Sequence, residues 1–125
     1  MSFDIQKAIK DGLYLILYMV RINVITIPPL GDKSWRYNVE ITESDGSGSK
    51  TIHLVTMDRD YYMNLTEKGR IIPEEFIKKS FEFLLNRESK DSVLRQFDIA
   101  QINDYFPEFE KEIRNALHLK QKKGI

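Results

Sequence analysis

Two runs of alternating apolar and polar residues, separated by the hexapeptide Ser44 to Ser49 (SDGSGS), constrain this chain more than any other feature. Before the hexapeptide, Trp35, Tyr37, Val39 and Ile41 alternate with Arg36, Asn38, Glu40 and Thr42. After it, Ile52 and Leu54 alternate with Thr51 and His53. A period of two sends successive side chains to opposite faces of an extended strand, so each run reads as a half-buried strand. The Gly/Ser segment between them reads as a flexible hairpin. Upstream, Val20 to Ile27 is rich in β-branched residues and ends at Pro28-Pro29, where ladder donors are lost, which predicts a third strand. Pro28 to Ser34 (PPLGDKS) carries the turn chemistry for the reversal that follows. The economical arrangement is a three-stranded antiparallel meander.

Past Met57 the spacing of apolar residues becomes helical. A short helix is expected over Asp58 to Thr66, stopping near Gly69. Pro73 opens the next: its ring pre-sets φ, and Glu74 and Glu75 face the positive end of the helix dipole. Phe76, Ile77, Ser80, Phe81, Leu84 and Leu85 then share one face. Ser89 is placed to cap a helix carrying Val93, Leu94 and Phe97. Asp98 and Gln101 have the spacing of a capping box for another, which offers Ile99, Ile102 and Phe106. Pro107 opens a last helix with Phe109, Ile113, Ala116 and Leu117 on one side. Strands followed by helices make an α+β pattern: a three-stranded antiparallel meander followed by a C-terminal group of four to five short helices over one face. The opposite face would carry Arg36, Asn38, Glu40, Thr42 and His53 to solvent.

The segment Pro73 to Glu110 resembles the C-terminal part of a family of small uncharacterised prokaryotic proteins, through SFEFLL, VLRQFD and YFPEFE. The WRYNVEIT strand and its hairpin are similar as well, and the likeness covers approximately residues 20 to 112. It implies a recurring domain and brings no activity with it. Residues 1–18 lie before it and read as a helical extension, residues 19–119 as the domain, and residues 120–125, with Lys120, Lys122 and Lys123, as a basic tail.

Composition narrows the function. With no cysteine, thiol catalysis and thiolate metal sites are excluded, and His53 and His118 are the only imidazoles. No cofactor and no metal are expected. Nineteen basic residues balance nineteen acidic ones, so the positive field of a nucleic-acid binder is missing. The longest uninterrupted apolar run, Leu13 to Val20, is too short for a bilayer span and is followed by Arg21 and Asn23, so no membrane insertion is expected. The first eleven residues are charge-balanced and carry no secretory cleavage signature, which points to a cytoplasmic location. Gly46 and Gly48 lack the Lys-Ser/Thr pair of a phosphate loop, and Ser80, Ser89 and Ser92 lack the context of a nucleophile elbow.

Several residue groups have an ordinary structural explanation. Trp35 and Tyr37 share a strand face with Val39 and Ile41, which places them in or beside the core. Arg95 and Asp98 read as a helix-end tie and a cap, and Tyr61, Tyr62 and Met63 as a helix laid on the sheet. Two function classes remain. The leading one is a non-enzymatic protein-partner-binding or adaptor module, with no catalytic residue. The alternative is a small-ligand-binding or enzymatic domain that uses Arg36, Glu40 and His53 on the polar face of the sheet.

Overall fold

The computed structural model describes residues 20–44 and 46–122; the expected extension at residues 1–18 and the last three residues of the expected tail lie outside them. Strands β1 (Val20–Ile27), β2 (Ser34–Glu43) and β3 (Lys50–Asp58) pair antiparallel in chain order, with Val24 opposite Val39 and Val39 opposite His53. The Gly/Ser turn closes the β2–β3 hairpin through the Glu43 N–H, which donates to the Ser49 carbonyl at 2.9 Å. Gly46 and Gly48 stand at φ 92° and 68°, a left-handed backbone that glycine adopts without a Cβ clash.

The sheet is not a three-stranded meander. Gln96–Asp98 forms a fourth strand, β4, which runs parallel to β3 and completes a mixed sheet of order β1-β2-β3-β4. The expected helix capped by Ser89 is replaced by turns leading into this strand. The outer edge of β3 supplies the reason, since its unpaired backbone groups need partners. The Leu54 N–H donates to the Arg95 carbonyl at 2.8 Å, and the Thr56 hydroxyl donates to the Asp98 carboxylate at 2.7 Å. The helices are therefore divided. Helices α1 (Arg59–Leu65) and α2 (Pro73–Leu85) precede β4; a 3₁₀ turn (Ile99–Gln101), α3 (Ile102–Tyr105) and α4 (Phe109–Lys122) follow it.

Local signals account for most helix ends. Asp58 caps α1 by accepting from the Tyr61 N–H, and Pro73 occupies the first turn of α2. The Asp98/Gln101 capping box is present on the 3₁₀ turn. The core lies between the sheet and the helices: Tyr37, Val39, Ile41, Val55 and Met57 from the strands meet Phe76, Ile77, Phe81 and Leu84 from α2 and Phe109, Ile113 and Leu117 from α4. Ala116, expected on the buried side of α4, is exposed.

The parity of β3 is reversed from expectation. Thr51, His53, Val55 and Met57 point inward, whereas Ile52 is 50% exposed. Directly opposed residues of an antiparallel pair share a face. Inward-facing Val39 and Ile41 therefore bring His53 and Thr51 inside with them. His53 is fully buried, so it does not belong to the solvated face.

Candidate functional site

The three residues expected on the polar face are not brought together. Arg36 is exposed on the outer face between Ile27 of β1 and Thr56 of β3. Glu40, half-buried on the same face, lies between Asn23 and Ile52 and forms an ion pair with Lys50 at 3.8 Å. His53 is on the other side of the sheet, its ring 5.6 Å from that of Phe81. Its Nδ1–H donates to the Leu94 carbonyl at 2.7 Å, and its Nε2 accepts from the Thr51 hydroxyl at 2.8 Å. A carbonyl accepts only, and this assigns the proton to Nδ1. Burial lowers the His53 pKa, against the pull of the Leu94 carbonyl, and nearby Arg95 lowers it further. The imidazole is thus a neutral bracket between β3 and the loop leading to β4.

A second, buried group holds that loop. Lys90, only 4% exposed, places its ammonium 3.3 Å from Glu43 at the end of β2 and 3.3 Å from Asp91. Ammonium groups are seldom buried without a paired anion, and Glu43 supplies one across the fold. Arg87, at the start of the loop, lies 3.6 Å above the Phe83 ring and pairs with Glu108 at 3.3 Å and Glu112 at 2.9 Å. Three side-chain attachments, through His53, Lys90 and Arg87, therefore add to the backbone bond at Arg95 in shaping the 86–95 loop.

Between this loop, the end of α2, β4 and α3 lies a pocket of about 290 Å³. Leu84, Val93, Leu94, Phe97, Ile102 and Phe106 make its lining predominantly apolar. Leu94 and Tyr105, also in contact with the cavity, remain 48% and 65% exposed. Its polar groups are few, and two are engaged by neighbours. The Gln101 side-chain oxygen accepts from the Asp98 N–H at 2.7 Å, and the Ser92 hydroxyl shares a hydrogen bond with that of Ser89 at 3.1 Å. The exposed Tyr105 hydroxyl and Glu88 remain. The Glu88 carboxyl is half-buried and burial raises its pKa. It also follows the C-terminal end of α2, where the helix dipole disfavours an anion.

A shallower cleft beside α4 is lined by Asn103, Glu110, Lys111 and Arg114. Most of its polar groups serve the fold. Asn103 accepts from the Glu110 N–H, Glu110 accepts from the Tyr61 hydroxyl at 3.0 Å, and Arg114 donates to Asn64. Burial, together with Glu110, raises the Tyr61 pKa. Trp35 is a rim residue, edge-on to Tyr62 at 5.5 Å with its indole N–H on the Gly31 carbonyl at 3.0 Å. Among the described residues no cluster of three or more His, Asp or Glu side chains is arranged to hold a metal ion, and no helix is long and apolar enough to cross a membrane.

Sequence reasoning missed the pocket and the two charged residues beside it, Glu88 and Lys90. Adjacent Val93 and Leu94 were the available signal, because neighbouring residues on a helix cannot both face one side as squarely as those three or four apart. Compared with protein-family models, curated proteins and solved structures, the chain matches none.

Proposed function

We propose that this domain is a non-enzymatic partner-binding module that receives an apolar anchor of another protein in the pocket beside β4. The observation that carries the reading is the combination of an apolar cavity with Leu94 and Tyr105 exposed on it. Exposed aliphatic and aromatic groups around a concave apolar site are the usual anchor of a protein interface. At about 290 Å³ the cavity suits one or two large side chains, at the lower end of the range for small-molecule sites. Its free polar chemistry is one carboxyl and the exposed Tyr105 phenol, with no imidazole or second carboxyl to complete an acid–base pair.

The alternative of a ligand or enzymatic site on the sheet has lost its proton-transfer partner. Glu40 and His53 lie on opposite faces, and both His53 nitrogens are occupied. The partner is read as protein rather than nucleic acid because 19 basic residues are matched by 19 acidic ones.

Selection of a phage-displayed random peptide library on the immobilised full chain tests this. The expected result is a consensus with one or two large apolar residues, whose binding is lost in Leu94→Asp, a substitution at an exposed position that leaves the circular dichroism unchanged. Peptides retained equally by Leu94→Asp would move the interface elsewhere. A small molecule copurifying with the chain and released by Arg36→Ala would replace this reading with the ligand one.

A further inference from the structure

Glu88 is the one carboxylate on an otherwise apolar pocket, and no cation of the described chain attends it. Arg87, next to it in sequence, stacks on Phe83 and pairs with Glu108 and Glu112. Lys90 is held by Glu43 and Asp91, and Arg95 pairs with Asp91 at 3.8 Å. Burial raises the pKa of the Glu88 carboxyl. Of the other polar side chains of the lining, Gln101 is tied up in the capping box and Ser92 with Ser89, while Tyr105 is exposed. A half-buried anion beside apolar surface carries a desolvation cost that a fixed cation would offset more strongly than at an open surface.

From this juxtaposition we infer that the partner presents a basic side chain next to its apolar anchor, with Glu88 as the receiving group. The inference rests on the docking reading above and names the chemistry of the docked segment. Arginine is preferred to lysine. Its guanidinium is flat and weakly hydrated, bonds a carboxylate through two N–H groups, and can lie against an aromatic face such as that of Tyr105, which is 65% exposed.

The same peptide library, selected in parallel on the wild-type chain, Glu88→Gln and Glu88→Lys, provides the test. Wild type is expected to return an apolar anchor flanked by arginine or lysine. Glu88→Gln should keep the anchor and lose the basic preference, and Glu88→Lys should turn it toward Asp or Glu. A peptide selected on wild type should bind Glu88→Gln roughly three- to tenfold more weakly by fluorescence anisotropy, as for a partly desolvated ion pair. All three proteins are first matched by circular dichroism and thermal midpoint. An apolar consensus without basic residues, or a basic preference that survives Glu88→Gln, overturns the role of Glu88 and leaves the docking reading standing. The absence of any apolar consensus overturns both.

Discussion

His53 makes two hydrogen bonds at once, one received by a backbone carbonyl and one given by a threonine hydroxyl, and only a neutral imidazole can do both there. The consequence is a pH dependence of stability. The fold lowers the His53 pKa, mainly through burial, while the unfolded chain takes up a proton near pH 6.5. Below that pH the unfolded state binds more protons, so the contribution of His53 is complete above about pH 7 and declines as the pH falls through about 6.5 toward the folded value. His53→Phe keeps a ring beside Phe81 but abandons the Leu94 carbonyl and the Thr51 hydroxyl. It is expected to destabilise by about 1–3 kcal/mol and to flatten this part of the pH profile. Urea denaturation at about pH 7.5 and pH 5.5 checks both effects, and an unaltered slope in the variant would assign the titration to another group. At this scale the residue type was legible and its side was not, since a four-residue alternation can be read in either parity.

Among the elements, α2 and α4 meet through an aromatic contact and a charged clasp. Phe83 is edge-on to Phe109 at 5.0 Å, and Arg87 covers the Phe83 ring while reaching Glu108 and Glu112. The Arg87 side chain is 20% exposed, so its ion pairs are less screened than those of an open surface. Arg87→Ala is expected to lower stability by about 1–2 kcal/mol, combining a cation–π contact with partly shielded ion pairs. Arg87→Lys should recover less than half of that loss, because an ammonium cannot stack flat and bond Glu112 through two oxygens. Equal stability of the lysine variant and the wild type in urea would show that charge alone matters. The acidic residues near the start of α4 had a sufficient local explanation in the helix dipole. Their second use, holding Arg87, depends on a residue 21 or more positions away, which no local pattern records.

In the whole molecule, β4 joins the sheet to the pocket. Phe97 packs against Phe81 at 5.8 Å on one side and lines the cavity on the other. Phe97→Ala is expected to cost about 3–5 kcal/mol, the usual penalty for removing a buried ring. Chemical denaturation measures that loss. The peptides selected on wild type should also bind this variant less well in conditions where it remains folded, because a wall of the site has gone. Unchanged peptide affinity in the folded variant would detach the binding surface from β4.

From sequence alone, three strands, the Gly/Ser hairpin, the starts of α1 and α2 and the Asp98/Gln101 cap were determined, because each depends on spacing or backbone chemistry within a few residues. Tertiary structure alone decided β4, the inward turn of His53 and the pocket. A three-residue strand has no periodicity to display, and one of its side-chain hydrogen bonds comes from Thr56, 42 positions earlier. The parity of β3 was likewise set across the hairpin, where Val39 and Ile41 had to face the helices and carried their opposite numbers with them. The pocket is the space left where consecutive elements, from the end of α2 through the 86–95 loop and β4 to α3, fold back on one another, so its shape exists only after the chain has packed.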